Sequence, residues 1–316
     1  MNKKIFDILG INRWHELGYT GKGVTVAQLE LTEGIENPLN IPIYENYPSH
    51  SYKTWNIIKQ ICPEAKMLGF EDAYNKNTNR FEEQIYPYLM KNDVQLLGAS
   101  LGGNSRNTDL IKVLKNKGMI FVNSAGNSNK DIDSIGAKYA SSNEWIDVGA
   151  VNYTPNFKKA SYSNFGDDLE IVSLVPVYIE LRDGRKIPFG GTSACQPIVL
   201  GMLALVQEFF KEKTGKFLNQ DQMLEFIKDN VRDLGEVGKD KYYGYGLFVL
   251  PEPDTIGVEN MIELNIGSKT AYINGKEIEL DIAPKIENGR TLVPLRFVSE
   301  TLGKTVDYKD GNIKIH

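Results

Sequence analysis

Over its first 250 residues the chain alternates short apolar runs with segments whose apolar residues recur at helical spacing. The runs predicted as strands are Gly23–Leu29, Lys66–Phe70, Val94–Ser100, Met119–Asn123 and Trp145–Val151. The segments predicted as helices are Thr54–Ile61, Phe81–Lys91 and Asp109–Lys117. This alternation favours an α/β fold of three layers, a mainly parallel sheet with helices on both faces. In such sheets functional residues gather beyond the carboxyl ends of the strands.

The pattern changes after residue 250. The stretch Leu250–Gly257 holds two prolines, acidic residues and a glycine, which is typical of a linker. Beyond it, the predicted elements are short strands at Met261–Ile266, Thr270–Ile273, Glu277–Leu280 and Asn312–Ile315, and one helix at Leu295–Leu302. We therefore predict a large domain over residues 1–250, a linker over 251–260, and a small, β-rich α+β domain over 261–316.

Charge and hydropathy limit the partners of the chain. Its 316 residues carry a net charge of −5 and no basic stretch, so we expect no nucleic-acid binding. No apolar run approaches the length that spans a membrane, so no membrane span is expected. Asp7 and Arg13 interrupt the stretch where a signal peptide would be apolar, so no export signal is expected.

Two cysteines, Cys62 and Cys195, are too few for a disulfide framework or a zinc site of known spacing. Both lie in apolar surroundings, so we expect buried, reduced thiols. Cys195 follows Ser193 by two residues, but no histidine nearby in the sequence supports it as a nucleophile. No metal site is predicted.

Ser193 lies in a Gly-Thr-Ser turn that leads into a long apolar stretch with helical patterning. At the start of a helix, unpaired backbone N–H groups and the positive end of the dipole favour a developing negative charge. An acyl-transfer nucleophile is favoured there, and so is an ordinary helix N-cap serine. Both interpretations are open from this turn alone.

Three further residues supply the groups that a nucleophilic serine needs. His50 is the plausible base, although a histidine at a helix start is often a polar surface residue. Glu30 follows the first predicted core strand, where a carboxylate could fix the imidazole tautomer. Asn127 follows another strand and could donate to an oxyanion, or it could be a turn asparagine.

Taken together and in this order, these residues resemble the subtilisin-like serine proteases (subtilases). The matching segments are Gly18–Ala27, Ile57–Ile58 with Pro63–Lys66 after His50, Ser100–Gly103, Ser124–Asn127, Ala160–Gly166, Gly191–Ser193 and Tyr243–Leu247. The resemblance covers about residues 10–250. It implies a three-layer subtilisin-like fold.

The resemblance also implies a serine endopeptidase that acts on peptide or protein substrates through an acyl-enzyme. Glu30, His50 and Ser193 would form the triad, and Asn127 would bind the oxyanion. The implied substrate-binding residues are Ser100, Leu101, Gly102, Gly103, Ser124, Ala125 and Gly126. The calcium-binding loops of the family are not evident, so no cofactor is expected, with calcium an alternative that has no evident site.

Two departures from the family pattern keep a second hypothesis open. Glu30 stands where the family has aspartate, with Glu33 as a less favoured carboxylate, and Ser51-Tyr52 replaces the Gly-Thr that follows the histidine. The alternative is a catalytically impaired pseudoprotease that acts as a binding or regulatory module. The substitution Glu30→Asp should keep or raise activity, unless the site is rebuilt around glutamate.

The C-terminal segments Tyr272–Lys276, Asp281–Val298 and Leu302–Asp307 resemble the stalk domain named after the N-terminal domain of copper amine oxidases. Copper is not implied, because there is no histidine cluster to bind it. The resemblance implies an attachment module with an envelope or protein partner. A cytoplasmic location is expected, since neither signal peptide nor propeptide is visible, and envelope or extracellular residence by a non-standard route is the alternative.

Overall fold

The computed structural model describes residues 2–43, 47–71, 80–100, 108–134, 144–153, 156–257 and 262–316. These form two compact units, the first of residues 1–208 and 218–253, the second of residues 209–217 and 254–316. The change from the first to the second after residue 253 falls within the predicted linker 251–260.

The first unit is built on an eight-stranded sheet. Its strands and those of an adjoining hairpin are β1 (Thr25–Gln28), β2 (Lys66–Gly69), β3 (Leu96–Ala99), β4 (Ile120–Ser124), β5 (Ile146–Asn152), β6 (Ile171–Val175), β7 (Val177–Glu180), β8 (Lys186–Phe189), β9 (Val231–Arg232) and β10 (Leu247–Phe248). The order across the sheet is β2-β1-β3-β4-β5-β6-β10-β9, and β7 pairs with β8 as a separate hairpin. The sheet pairings are parallel apart from the antiparallel β9–β10 pair.

The helices of this unit cover both faces of the sheet. They are α1 (Lys3–Ile8), α2 (Ile11–Glu16), α3 (His50–Ile61), a π-helical turn (Phe81–Ile85), α4 (Tyr86–Lys91), α5 (Thr108–Asn116), α6 (Thr192–Thr214) and α7 (Gln220–Asp229). The residues of α6 from 209 onward are assigned to the second unit. Ala27 and Leu97 share one buried cluster with apolar residues of α4 and α5. A Cβ added at Gly98, the next residue of β3, would point to the opposite face, toward Leu200 of α6. Because adjacent strand residues point to opposite faces, the sheet lies between two helical layers, as the sequence predicts.

Helix α6 is the apolar centre of the second helical layer. By length and composition it could cross a membrane, contrary to the sequence expectation that no run approaches that length. However, 89% of its apolar window is buried inside the protein. The apolar character of α6 is therefore that of a core helix.

Two local predictions need correction. The helix predicted over Thr54–Ile61 begins four residues earlier, at His50, because Ser49 caps it by accepting a hydrogen bond from Tyr52 N at 3.0 Å. The β7–β8 hairpin is not among the strands predicted from the sequence. Its strands are four residues long, and β8 alternates exposed and half-buried positions, which leaves little apolar pattern to detect.

The second unit contains short antiparallel strands and one helix. They are β11 (Ile262–Leu264), β12 (Thr270–Ile273), β13 (Lys276–Glu279), β14 (Lys285–Glu287), β15 (Arg290–Leu292), α8 (Leu295–Thr301), β16 (Val306–Lys309) and β17 (Asn312–Ile315). The strands form one three-stranded sheet and two hairpins. This is the small α+β domain that the sequence predicts.

Candidate active site

Three of the predicted site residues lie at one edge of the sheet. Glu30 follows β1, Ser100 follows β3, and Asn127 follows β4. These strands are parallel neighbours in the order β1-β3-β4, so their carboxyl ends meet. The sheet topology thus brings together residues that are far apart in the sequence.

Glu30 and His50 form a hydrogen-bonded pair. His50 is the first residue of α3, and its Nδ1 contacts Glu30 Oε1. The Glu30 side chain is 1% exposed, whereas that of His50 is 30% exposed. Trp55, one turn along α3, donates from Nε1 to the Glu30 backbone carbonyl at 2.9 Å. The carboxylate is therefore held inside the protein while the imidazole reaches the surface.

Ser193 is the second residue of α6 and is half-buried. Its hydroxyl donates to the Ser100 carbonyl at 3.2 Å, so it does not serve as the N-cap of the helix. Ser193 lies in the first helical turn, where backbone N–H groups have no intrahelical acceptor. The turn therefore offers both a hydroxyl and N–H donors at one place.

Asn127 is exposed, and its amide is oriented by the turn that precedes Ser193. Its Oδ1 accepts from Thr192 N at 2.8 Å and lies 3.2 Å from Thr192 Oγ1. Gly191 in this turn has φ of 79°, a left-handed conformation that favours glycine, and its N–H donates to the Tyr162 hydroxyl. Because Oδ1 is engaged as an acceptor, Nδ2 is the group that Asn127 can offer to a ligand.

Residues 43–246 match the model of the subtilase family. The chain belongs to this family. Residues 251–316 match a second model, described as the copper amine oxidase N-terminal domain. The two matches follow one another along the chain.

This subtilase is similar to an intracellular serine protease of Paenibacillus polymyxa, with 26% identity over 209 residues that cover 62% of this chain and 61% of the relative. It is also similar to a thermostable alkaline protease of Halalkalibacterium halodurans, with 28% identity over 231 residues that cover 65% of this chain and 63% of the relative. The chain spans less than two thirds of the length of these relatives. Among solved structures, a lanthipeptide protease shares the fold, with a TM-score of 0.62 and 19% identity over 78% of this chain and 92% of that one.

The predicted substrate-binding residues of this subtilase are only partly described. Leu101, Gly102 and Gly103 lie outside the described residues. Gly126 donates from N to Thr192 Oγ1 at 3.0 Å and accepts at O from Asn164 N, and the Ala125 carbonyl accepts from Asn164 Nδ2. These backbone groups are thus bonded within the protein, as is the Ser100 carbonyl. Ser124 is the buried last residue of β4.

The less favoured carboxylate Glu33 and the Ser51-Tyr52 departure have separate places in the structure. Glu33 is exposed and pairs with Arg182, whereas it is Glu30 that contacts His50. Ser51 is fully buried, whereas the Tyr52 hydroxyl donates to the Glu180 carbonyl at 2.8 Å. The Tyr52 hydroxyl therefore contacts the β7–β8 hairpin, and its ring packs edge-on against the ring of Tyr47.

Both cysteines are free and buried, as predicted. Cys195 Sγ contacts the Ser173 carbonyl at 3.3 Å, and burial raises the pKa of its thiol, which disfavours the thiolate. Within the described ranges, no group of three or more His, Cys, Asp or Glu side chains could hold a metal ion.

Two residues that the sequence analysis missed contact the predicted site. Gln28 Nε2 donates to Glu30 Oε2 at 2.9 Å, and Gln196 Oε1 accepts from Gln28 Nε2 at 3.0 Å. Both glutamines are fully buried. The sequence signals that could have pointed to them are a polar residue inside an apolar strand, for Gln28, and a polar residue inside an apolar helix, for Gln196.

Proposed function

We propose that this subtilase is a serine endopeptidase that hydrolyses peptide bonds through an acyl-enzyme. The observation that carries the proposal is the buried Glu30 carboxylate, hydrogen-bonded to the half-exposed His50 at the sheet edge where Ser193 begins its helix. The family match and the named serine proteases among its relatives support it.

In the proposed reaction, Ser193 Oγ attacks the scissile carbonyl carbon and His50 Nε2 takes the hydroxyl proton. Since the hydroxyl donates to Ser100 O in the structure, a rotation about χ1 of Ser193 would have to precede attack. His50 then gives the proton to the leaving amine, and water cleaves the ester with the same base. Glu30 keeps the proton of His50 on Nδ1 and stabilises the imidazolium.

The oxyanion of each tetrahedral intermediate would accept hydrogen bonds from Ser193 N–H and Asn127 Nδ2. Supporting this role, Thr192 fixes Asn127 Oδ1 as an acceptor and so orients the amide. Preorganised donors of this kind lower the barrier because they need no reorganisation as charge develops.

The substrate would be a peptide or protein chain that lies along residues 100–103 and 124–126. We propose the domain division 1–250, 251–260 and 261–316. Two successive family matches, over 43–246 and 251–316, support a division near residue 250, and the second match includes the proposed linker. The C-terminal domain would bind an envelope or protein partner. A cytoplasmic location is proposed, with support from the name of the intracellular relative.

A fluorophosphonate probe tests the proposal, because it phosphonylates a serine only when its hydroxyl is activated. We expect one probe per chain by intact mass, with the modification mapped to Ser193 and absent from Ser193→Ala. Folded protein that takes up no probe would overturn the proposal and favour the pseudoprotease alternative.

A further inference from the structure

Four side chains form a buried polar network that runs from the Glu30 carboxylate to the turn that carries Ser193. Gln28, Glu30 and Gln196 are 0% exposed, and Ser100 is 3% exposed. Buried polar groups cost free energy unless they are hydrogen-bonded, so a network of this kind must satisfy its members. Its contacts indicate what it holds in place.

The two glutamines bond to each other and to the carboxylate. Gln28 Nε2 lies 2.9 Å from Glu30 Oε2 and 3.0 Å from Gln196 Oε1, while Gln196 Nε2 donates back to Gln28 Oε1 at 3.3 Å. An amide nitrogen has two hydrogens, so Gln28 can serve both acceptors at once. Glu30 therefore has one oxygen for His50 and the other for Gln28.

Gly98 makes room for this pair. A Cβ built at Gly98 would lie 2.1 Å from Gln28 Oε1 and 2.3 Å from Gln196 Nε2. The pair thus occupies the space that a side chain on β3 would fill.

The same network reaches the nucleophile turn. Ser100 Oγ lies 2.5 Å from Gln196 Oε1 and 3.3 Å from the Ser193 carbonyl. That carbonyl lacks its usual donor four residues along the helix, because Pro197 has no N–H. The single Ser100 hydroxyl proton serves the nearer acceptor, Gln196 Oε1. Because the Ser100 carbonyl also accepts from Ser193 Oγ at 3.2 Å, Ser100 links the start of α6 to the glutamine pair.

We propose that Gln28 and Gln196 are positioning residues that fix Glu30, so that the triad is built around glutamate. This rests on the proposed function of Glu30, His50 and Ser193. A glutamate has one more rotatable bond than an aspartate and needs a second anchor to present the same oxygen to the imidazole. Gln28 supplies that anchor. Gln196 in turn fixes the position of Gln28 relative to helix α6, which carries Ser193.

The test is a double-mutant cycle with isosteric apolar replacements. Gln28→Met removes the anchor, and Glu30→Met removes the carboxylate that it positions. The readouts are kcat and KM on a fluorogenic peptide library, and the rate of fluorophosphonate labelling. We expect Gln28→Met to lower kcat and the labelling rate by about tenfold to a hundredfold with KM little changed, as for a misplaced catalytic group. In the Glu30→Met background the same change should cause no further loss.

Gln207→Met is the matched control, since Gln207 is also a fully buried glutamine of α6, bonded to the backbone of Leu218. It should lower the melting temperature without lowering kcat. If Gln28→Met fails to fold, the double variant Gln28→Met/Gln196→Met removes both amides together, which is less costly than leaving one unpaired.

Two results would overturn the inference while leaving the proposed function intact. One is wild-type labelling that Gln28→Met and the double variant leave unchanged. The other is an equal fold-loss from Gln28→Met with and without the Glu30 carboxylate, which is the mark of a merely structural residue. A wild-type protein that takes up no probe would instead count against the proposed function itself.

Discussion

Glu30 differs from an aspartate by one methylene, and the structure gives each of its carboxylate oxygens a separate partner. Oε1 contacts His50 Nδ1, and Oε2 accepts from Gln28. A shorter carboxylate on the same backbone would have to give up one of these bonds. The sequence alone left two outcomes open for Glu30→Asp, and the contacts favour loss of activity.

We therefore predict that Glu30→Asp lowers kcat by about a hundredfold, the scale of a 1 Å misplacement of a catalytic group. The measurement is steady-state hydrolysis of a fluorogenic peptide, with thermal unfolding as the check on folding. Retained or increased kcat in Glu30→Asp would contradict a site rebuilt around glutamate.

The sequence was sufficient to predict Glu30, His50, Ser193 and Asn127 as candidates, because Glu30 and Asn127 follow strand ends and His50 and Ser193 lie at helix starts. It could not predict Gln28 or Gln196, since each lies within an apolar element where residue type gives no clue to partners. Their hydrogen bonds join residues 168 positions apart, and only the packing of α6 on the sheet brings them together.

At the scale of elements, the site depends on how α3 and α6 pack, because α3 carries His50 and α6 carries Ser193. They meet at Gly201, where an added Cβ would lie 2.9 Å from both Cβ and Cγ2 of Ile61. Ile61 is fully buried, so it has little room to move. Glycine at this position sets the spacing between the two helices.

Gly201→Ala should therefore destabilise the protein by about 1–3 kcal/mol, the usual cost of overpacking a core. We also expect a lower kcat, because the two helices would be pushed apart. Helix propensity alone predicts the opposite, a gain of about 1 kcal/mol. Chemical denaturation distinguishes the two, and adding Ile61→Ala should recover part of the loss if the contact is the cause.

The sequence predicted well those elements whose apolar residues form a clear run or recur at a regular spacing. Strands β1 to β5 fall inside the predicted runs or within one residue of them. The start of α3 was missed because the cap at Ser49 lies outside its apolar pattern. The β7–β8 hairpin was missed because its strands are short and only two of its eight residues are buried.

For the molecule as a whole, one buried carboxyl group couples stability to pH. Asp147 on β5 is fully buried beside Asn123 on β4, whose Nδ2 donates to Asp147 Oδ1 at 2.8 Å. Among the described residues, Asp147 Oδ2 and Asn123 Oδ1 are buried without a partner. Burial raises the pKa of Asp147 from 3.8 to about 7. The negative charges of Glu170, Asp168 and Asp133 also raise this pKa, whereas the hydrogen bond from Asn123 lowers it.

The folded protein therefore holds a proton on Asp147 that the unfolded chain releases above its pKa of 3.8. The contribution of Asp147 to the free energy of unfolding is fully present below pH 3.8 and is lost as the pH rises to about 7. The loss is at most about 1.4 kcal/mol per pH unit. Asp147→Asn removes this dependence. We expect the melting temperature of Asp147→Asn to exceed that of the wild type by more at pH 8 than at pH 4.5. An equal difference at the two pH values would contradict a raised pKa of Asp147 in the folded protein.

If Ser193 is the nucleophile of a peptide-bond hydrolase, this subtilase should hydrolyse a protein substrate and should lose that activity when the Ser193 hydroxyl is removed. The measurement is the initial rate of release of fluorescent peptides from labelled casein by wild type and by Ser193→Ala, with matched thermal unfolding. We predict hydrolysis by the wild type and a loss of about a thousandfold or more in Ser193→Ala. Equal rates for the two proteins, or no hydrolysis by folded wild type that also takes up no fluorophosphonate, would contradict this role of Ser193.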